Sequence, residues 1–512
     1  MEKKITIEAA LDMIPDGATV AVSGAMLAAT PRELYVGIGK RFLESGHPRG
    51  LTVMHAAGNG NNKDEGIIDM THEGLIARYI CGHLANNTKM VELINQNKVQ
   101  AYNLPLGVIA HMYRAAAMGK AGEITRIGLH TFCDPRLQGG KLNDVTTEDL
   151  VELITLDGEE QLMYRTPKLD IGLIRGTTAD ELGNITMEEE LSEVDALDVA
   201  MAVKAMGGKV IVQVKNYVSS RSIDRNQVVI PGCMVDAVVV SQDPIANHRQ
   251  TPGSFYNPVL AGHYRLDGVG FATLPLSDRK VIARRAAMEL PSHAVVNLGI
   301  GMPEGVAAVA KEEGLGDNLV LTVETGLIGG TPSGGQDFGA AINAWASLPV
   351  GTQFDYYHGG NLDLTCLGFA EIDAVGNVNV GRFGTKIPGC GGFVDISQST
   401  KHIVFCGTMT AGGLKVAFED NKIKILQEGS KITFSSEFSK RYQQNVLFVT
   451  ERCVFQLIDQ QLVLTEVAPG IEIERDILPH MDFQPVISEH LKTMDPRIFG
   501  ESCIDLKSII GA

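Results

Sequence analysis

One glutamate stands in the sequence where a nucleophile could act. Glu324 follows the strand predicted over 318–323, and six glycines follow it within fifteen residues. In α/β proteins reacting groups lie at strand ends, and glycines there leave backbone N–H groups open and keep side chains away from a reacting atom. No His, Cys or Lys is nearby in sequence, which favours a nucleophilic carboxylate over an acid–base pair. An exposed glutamate beside a flexible loop is the other interpretation, and this segment alone leaves both open.

A second glycine-rich turn could bind an anionic group. Gly299, Gly301 and Pro303 follow the apolar run 295–298. Three residues, rather than the two of a dinucleotide fingerprint, separate Gly301 from the next glycine, so the motif is a weak match. Backbone N–H groups could still approach a ligand here, and a helix starting near Pro303 would direct its positive end towards it. A tight strand–helix turn without a ligand is the alternative.

Other common chemistries have no signature in the sequence. It contains no GxxxxGK[ST] phosphate loop, no GxSxG nucleophile elbow and no HExxH motif. The 13 histidines are scattered, and the eight cysteines lie far apart without a CxxC pair. We therefore expect neither a metal site nor a disulfide framework.

Composition indicates an ordinary globular protein. Of 512 residues, 44% are apolar, 21% are charged and 56 are Gly, and the formal net charge is −17. An acidic chain without a Lys/Arg-rich run is a poor candidate for binding nucleic acid or an anionic membrane, although local groups can still bind a phosphorylated ligand. We expect no signal peptide and no transmembrane helix, and therefore a cytoplasmic protein.

The pattern of short β-branched runs between helical stretches predicts an α/β fold with mixed, largely parallel sheets. A helix is predicted over 31–44, with Thr30 as its N-cap and Glu33 completing a capping box. Further helices are predicted over 281–290 and 304–313. Strands are predicted over 19–22, 209–214, 237–240, 318–323, 402–405 and 446–449.

Two patterns occur in both halves of the chain, in the same order. One is a strand that ends in glycine and leads to a proline-started helix; the other is Asp-x-x-Gly-Asn followed by a β-branched residue. They lie at 20–31, 180–185, 295–303 and 373–378. We interpret them as two related domains over 1–243 and 280–512, joined by a linker over 244–279. Chance similarity between common Gly-Asn turns is the alternative.

Taken together, the motifs resemble those of family I CoA-transferases over nearly the whole chain. One family signature, which begins Asp-Gly and contains Gly-Gly-Phe and Gly-x-Pro, is matched by 16–31. A second, Ser-Glu-Asn-Gly with a following apolar pair, is matched by 323–328, and Glu324 stands at the family's catalytic glutamate. Further matches are 282–290, 296–301 and 391–396. The segments similar to the propionate CoA-transferase branch, which includes short-chain acyl-CoA:acetate CoA-transferases, are 132–136, 139–143, 389–393, 405–413 and 466–471.

The resemblance implies an α-like domain followed by a β-like domain that carries Glu324. It implies ping-pong transfer of CoA from a short-chain acyl-CoA to a free acid of the acetate or propionate type, through a glutamyl-CoA thioester on Glu324. CoA would be a substrate, without a further cofactor or metal, and the protein a homo-oligomer, either dimer or tetramer. A CoA-thioester hydrolase on the same fold and a non-catalytic CoA-binding protein are the alternatives.

The resemblance also assigns roles to further positions. Those implied to bind CoA are Gly299, Gly301, Met302, Gly391, Gly392, Gly407 and Thr408. Those implied at the oxyanion and acyl pocket are Gly24, Ala25, Leu106 and Gly389.

Three features depart from the family pattern. Ser23-Gly24-Ala25 replaces Gly-Gly-Phe, Thr325 replaces the more general Asn, and Leu106 stands where relatives carry a Gln assigned to the reacting acyl group. Leu removes a hydrogen-bonding partner and makes that wall apolar. We therefore expect the mechanism to be kept and the acyl preference to differ.

Overall fold

The computed structural model describes residues 3–61, 63–268, 273–316, 319–410 and 431–511, which form two compact units. The first unit contains the described residues up to Leu266 together with 323–355 and 385–395; the second contains the rest. These units do not follow the linear division at 243/244 and 279/280, which stays a prediction about family domains. Glu324 belongs to the first unit, because the segment after residue 322 makes its hydrogen bonds there.

A parallel seven-stranded sheet is the centre of the first unit. Its strands are rich in β-branched residues and buried on both faces, as expected for a parallel sheet. In spatial order they are Ala237–Val240, Lys209–Val214, Ile171–Arg175, Thr19–Val22, Leu51–His55, Ile76–Cys81 and Gln100–Asn103.

Smaller sheets complete this unit. A four-stranded sheet has the order Asn216–Val218, Thr178–Asp180, Ile185–Thr186 and Val228–Ile230, and an antiparallel three-stranded sheet has the order Gly122–Thr125, Glu159–Arg165 and Val151–Leu156. Two short hairpins pair Leu327–Ile328 with Ala346–Ser347 and Thr331–Pro332 with Ala341–Ile342.

Helices flank the parallel strands of the first unit. The α-helices are Ile7–Leu11, Arg32–Ser45, Thr88–Asn95, Leu106–Ala117, Ala196–Ala205, Pro244–Asn247 and Val350–His358, the last of which continues into the second unit after Asp355. Short 3-10 turns are Ile67–Met70, Arg225–Gln227, Gly232–Met234 and Gly335–Asp337.

The second unit has its own mixed sheet and core. The sheet order is Val320–Val323, Val295–Leu298, Leu364–Gly368, His402–Cys406, Asn445–Val449, Cys453–Ile458, Gln461–Val467 and Val486–Thr493, with the first five strands parallel. A hairpin pairs Glu371–Ile372 with Val378–Asn379. The helices are Asp278–Ala287, Glu304–Glu312, Phe393–Ser399 (whose first three residues belong to the first unit), Ser436–Arg441 and Leu506–Ile510, with shorter turns at Ile473–Ile477, Leu478–His480 and Pro496–Phe499.

Both repeated patterns have matching local structures. The helices Arg32–Ser45 and Glu304–Glu312 each begin directly after the proline of the pattern. The two Asp-x-x-Gly-Asn segments are both hairpin turns, in which the first Asp accepts backbone N–H groups and the Asn side chain donates to that Asp at 2.9 Å in Asp180 and 2.8 Å in Asp373. This agreement supports two related halves.

The predicted capping box before the first of these helices is wrong. Pro31 occupies the N-cap position and makes no side-chain cap. The Thr30 hydroxyl donates to the carbonyls of Met26 and Ala28 instead, and the Glu33 carboxylate accepts hydrogen bonds from Ser241 and Gln242. The Thr30 hydroxyl is therefore bonded to preceding carbonyls and the Glu33 carboxylate to residues far along the chain, so neither caps the helix.

The stretch predicted as a linker over 244–279 is folded over its first part. It opens with the helix Pro244–Asn247, and Gln250 and Thr251 are buried. The Thr251 hydroxyl donates to the carboxylate of Asp337. Residues up to Leu266 consequently belong to the first unit.

No helix in the described ranges combines the length and apolarity needed to cross a membrane. Over the same ranges, no cluster of three or more His, Cys, Asp or Glu side chains could hold a metal ion.

Candidate active site

Glu324 lies directly after the strand Val320–Val323, with its side chain partly exposed. The next two residues are firmly held. The Thr325 hydroxyl donates to the carbonyl of Gly339 at 2.6 Å, and the Thr325 carbonyl accepts from Ser192. Gly326 has φ +110°, and a Cβ there would overlap the carbonyl of Leu348. Thr in place of Asn thus keeps a hydrogen bond that closes the loop behind Glu324.

The other glycines after Glu324 differ in use from the prediction. Gly329, Gly330, Gly335 and Gly339 have positive φ and form the turns of the two short hairpins. These glycines allow the chain to turn. The N–H group that lowers the pKa of Glu324 belongs instead to Gly392.

Gly392 lies in close contact with Glu324. Its backbone N–H faces the Glu324 carboxylate and favours the ionised form. A Cβ at position 392 would lie 2.7 Å from Oε2 of Glu324 and 2.9 Å from its Cδ. Only glycine leaves room for the carboxylate at this place.

The carboxyl group of Glu324 is hard to ionise. Burial, aided by the negative charge of Asp395, raises its pKa to about 7, while the Gly392 N–H acts in the opposite direction. A carboxylate with this pKa is more basic than an ordinary glutamate and is still substantially ionised at neutral pH.

Asn103 anchors the segment that carries Gly392. Its Oδ1 accepts the N–H of Cys390 at 3.0 Å, and its Nδ2 donates to the carbonyl of Gly82 at 2.6 Å. The N–H of Gly391 also donates to Gly82, at 2.8 Å, and the carbonyl of Gly391 accepts the N–H of Leu106 at 2.9 Å. Leu106 and Gly391 are therefore direct neighbours, and Gly391 is adjacent in the chain to Gly392.

Gly389 lies against the same strand end. A Cβ at Gly389 would sit 2.9 Å from the Gly82 carbonyl and 3.0 Å from Nδ2 of Asn103. Gly389, Gly391, Gly392 and Leu106, which the resemblance divides between CoA binding and the acyl pocket, therefore lie around one backbone segment.

The turn at Gly24 has a different partner. The Ser23 hydroxyl donates to Oδ1 of Asp195 at 2.7 Å, and the Gly24 N–H donates to the same atom at 3.3 Å. The Ala25 N–H donates to Ala28 at 3.0 Å. Burial raises the pKa of Asp195 to about 6, and the Ser23 hydroxyl opposes this rise. Ser23, one of the departures from the family pattern, therefore supplies a donor to a buried carboxylate.

These hydrogen bonds decide which backbone N–H groups near the site are available to stabilise an oxyanion. The N–H groups of Gly24, Ala25, Cys390 and Gly391 all donate to protein oxygens, whereas that of Gly392 is directed at Glu324. Of these N–H groups, the geometry therefore favours that of Gly392 as a donor to an oxyanion.

The remaining predicted CoA positions lie in the second unit. The N–H of Gly299 donates to Cys366 at 2.8 Å and that of Gly407 to Val449 at 3.2 Å, so both close strand ends. Gly301 has φ +87°, and a Cβ there would meet no atom within 4 Å. Met302 packs against the apolar core, and the Thr408 hydroxyl donates to Thr410 at 2.7 Å. Residues 411–413 of the predicted segment 407–413 lie outside the described residues.

Comparison with known proteins identifies the family. The family model for coenzyme A transferase matches residues 4–241. The chain is 43% identical to caffeate CoA-transferase from Acetobacterium woodii, over all of both chains, and 44% identical to acetate CoA-transferase YdiF from Escherichia coli K12, over 97% of this chain and 94% of that one. The chain belongs to the CoA-transferase family.

A solved structure agrees with this assignment. The crystal structure of the Escherichia coli O157:H7 acyl-CoA transferase YdiF, in a thioester complex with CoA, matches with a TM-score of 0.90 and 40% identity, over 98% of this chain and 97% of that one. The predicted α/β fold with two CoA-transferase domains and the predicted CoA-transferase activity are confirmed.

Sequence reasoning missed two residues at the centre of this CoA-transferase. Asp395 lies within a matched motif but received no role, and Phe354 was not singled out. Both are buried, and both lie beside Gly107. A lone acidic residue after Gly391-Gly392 was a signal for Asp395; Phe354, in an ordinary helix, gave none.

Proposed function

We propose that Glu324 is the nucleophile with which this CoA-transferase moves CoA between a short-chain acyl-CoA and a free carboxylic acid. The supporting observation is the Glu324 carboxylate at a strand end, partly exposed and faced by the Gly392 N–H. The relative with 40% identity that crystallised in a thioester complex with CoA is consistent with covalent catalysis.

The first half-reaction has two displacements at acyl carbons. The ionised Glu324 carboxylate attacks the thioester carbonyl, the C–S bond breaks, and an acyl-glutamyl anhydride and CoA thiolate form. The thiolate then attacks the carboxyl carbon, Cδ, of Glu324 and releases the acyl group as its carboxylate. The enzyme is left as a glutamyl-CoA thioester.

The second half-reaction is the same sequence in reverse, with a different acid. Its carboxylate attacks Cδ of Glu324, the thiolate leaves, and the thiolate then attacks the new acyl carbon. The Glu324 carboxylate is regenerated. Each attacking group is already an anion, so no general base is required.

The Gly392 N–H has a clear part in this mechanism. When thiolate or carboxylate attacks Cδ of Glu324, negative charge builds on the carboxyl oxygen, which this N–H faces. A fixed donor at such an oxygen contributes about 3 kcal/mol to transition-state stabilisation. The donor is fixed because Asn103 holds Cys390 and Gly82 holds Gly391.

We assign the acyl preference to the wall that contains Leu106. Leu106 is 5% exposed and its N–H is bonded to Gly391, one residue from the Glu324 contact. An apolar side chain here favours acids without a second polar group. The related enzymes act on acetate and caffeate by name, so similarity at this level leaves the acyl group to be measured.

The positions of the second unit stay proposed CoA contacts on the strength of family resemblance. These are Gly299, Gly301, Met302, Gly407 and Thr408. At Gly301 the positive φ supports a backbone role, because the surrounding space would admit a side chain. Variants at these positions should raise the KM for acyl-CoA with little effect on the amount of active enzyme.

The proposal also covers cofactor, assembly and location. Every step exchanges one acyl nucleophile for another, so the atoms and electrons balance without a further cofactor. Family resemblance implies a homo-oligomer, which light scattering of the purified protein would measure. CoA thioesters are intracellular metabolites, and this supports a cytoplasmic location.

A donor–acceptor assay tests the proposed reaction. Propionyl-CoA with acetate should give acetyl-CoA and propionate in equal amounts, with ping-pong kinetics. Release of free CoA at the same rate with and without added acetate would instead identify a thioester hydrolase. Binding of CoA without turnover of any acyl-CoA would identify a non-catalytic protein.

A further inference from the structure

Asp395 is a fully buried carboxylate whose place in the reaction the mechanism above does not use. Its Oδ2 accepts the N–H of Gly107 at 3.1 Å, and its Oδ1 accepts the N–H of Val108 at 3.2 Å. Both donors are in the first turn of the helix Leu106–Ala117. The positive end of that helix therefore holds a negative charge in the protein interior.

A compact column of groups connects Asp395 with Glu324. A Cβ at Gly107 would lie 2.7 Å from Oδ1 of Asp395 and would overlap the ring of Phe354. At the other end of that ring, a Cβ at Gly392 would lie 3.2 Å from Cζ of Phe354 and 2.7 Å from Oε2 of Glu324. Phe354 is 0% exposed. The buried Phe354 ring therefore lies along the path between the two carboxyl groups, and an apolar surrounding strengthens the repulsion between like charges.

Other charged groups on the neighbouring elements have partners of their own or are partly buried. Asp355, the neighbour of Phe354, is paired with His111 at 3.0 Å and with Arg114. The Ser192 hydroxyl donates to the Thr325 carbonyl. Ser192 lies on the segment 190–195, which carries three carboxyl groups. On that segment Glu190 pairs with Arg175, Asp195 accepts from Ser23, and burial raises the pKa of Glu193. The negative charge of Asp395 raises the pKa of Glu324.

The chemistry of the first half-reaction changes the charge of this pair. Before it, Glu324 and Asp395 are both carboxylates. After it, Glu324 is an uncharged thioester, and the negative charge has left with the released acid. The repulsion between the two groups is present in the free enzyme and absent in the CoA-bound enzyme.

We propose that Asp395 is a positioning residue whose charge favours the glutamyl-CoA form of Glu324 over its free carboxylate. The proposal rests on the proposed role of Glu324. Asp395 fixes the start of the helix that carries Leu106, and it places a negative charge where only the free enzyme is destabilised by it. The charge of Asp395 then supplies part of the free energy that favours loading CoA onto Glu324.

The test is the equilibrium of the half-reaction in Asp395→Asn. This variant removes the charge and keeps an oxygen that can accept an N–H. Enzyme is mixed with acyl-CoA and a known excess of the matching free acid, and intact-protein mass spectrometry gives the fraction carrying CoA. We expect the equilibrium constant for loading to fall on the order of tenfold, the ratio that corresponds to one pKa unit. The pH midpoint of loading should also move lower, since Glu324 ionises more easily without a negative neighbour.

Controls separate charge from structure. Asp144→Asn makes the same substitution at an exposed position and should leave the loading equilibrium unchanged. Asp395→Glu keeps the charge and should load CoA more fully than Asp395→Asn. Asp395→Ser supplies a second uncharged variant if Asp395→Asn does not fold.

Two results have different meanings. Loading and its pH midpoint unchanged in a folded, uncharged variant would overturn the role of Asp395 while leaving Glu324 as the nucleophile. Absence of any CoA adduct on Glu324 in the wild-type enzyme would overturn the proposed function itself.

Discussion

The backbone N–H of Gly392 faces the carboxylate of Glu324 and lowers its pKa, and a Cβ at Gly392 would lie 2.7 Å from Oε2 of that carboxylate. One residue thereby supplies a backbone N–H group and the space in which the nucleophile sits. Its own position depends on Asn103 and Gly82, which bond the two residues before it.

Gly392→Ala should reduce kcat strongly. The added methyl group displaces the Glu324 carboxylate, and misplacement of a reacting group by about 1 Å can cost on the order of 100-fold in rate. Steady-state kinetics with a short-chain acyl-CoA and acetate measures the effect. The matched control is Gly500→Ala, because a Cβ at Gly500 makes only an ordinary contact at 3.6 Å. Equal activity in the two variants would contradict the site geometry.

Activity should fall as the pH drops below about 7. Attack requires ionised Glu324, and burial together with Asp395 raises the pKa of Glu324 to about 7. Protonation below that value removes the nucleophile, so kcat/KM should decrease by about tenfold per pH unit well below it. The measurement is kcat/KM between pH 5.5 and 8.5, with circular dichroism to verify folding at each pH. A flat profile down to pH 5.5 would show that Glu324 ionises like an ordinary glutamate.

Leu106→Gln should change the acyl preference. An amide at this wall can hydrogen-bond a polar acyl group, and such a bond contributes about 0.5–1.5 kcal/mol, or roughly twofold to thirteenfold in relative kcat/KM. A panel of acyl-CoA donors with and without a second polar group measures the ratio. Leu137→Gln, at a leucine that is 51% exposed, is the control. An unchanged ratio in Leu106→Gln would remove Leu106 from the acyl pocket.

Ser23→Ala should destabilise the fold by about 1–3 kcal/mol, because a buried carboxylate oxygen of Asp195 loses the closer of its two donors. The loss should be larger at pH 8 than at pH 5. Asp195 has its pKa raised to about 6 in the folded protein, so it is ionised at the higher pH and largely protonated at the lower one. Urea unfolding at both pH values gives the free energies. Ser222→Ala, at an exposed serine, should change stability by less than about 0.5 kcal/mol.

The elements were largely predictable because their signals are local. The predicted strands 19–22, 209–214 and 237–240 match the observed bounds, since continuous β-branched runs bury both faces of a parallel strand. The strand predicted over 318–323 begins at Val320, and the helices predicted over 281–290 and 304–313 agree within three residues. The capping box failed because Glu33 bonds Ser241 and Gln242, far away in sequence.

The site was predictable only in part, because some of its residues interact with residues far away in the chain. Glu324, Gly392 and Leu106 could be selected from motifs, because each lies in a short recognisable segment. Phe354 and the carboxylate of Asp395 act through packing between segments that are far apart in the chain. The resemblance could not assign the Gly24 turn its partner either, because Asp195 lies 171 residues further along.

Trapping the covalent intermediate tests the central claim most directly. The wild-type enzyme is incubated with acyl-CoA alone, reduced with borohydride or trapped with hydroxylamine, digested, and mapped by mass spectrometry beside Glu324→Ala. The account predicts modification of Glu324 in the wild type, with neither modification nor CoA transfer in Glu324→Ala. Modification of another residue, or full transferase activity in Glu324→Ala, would contradict it.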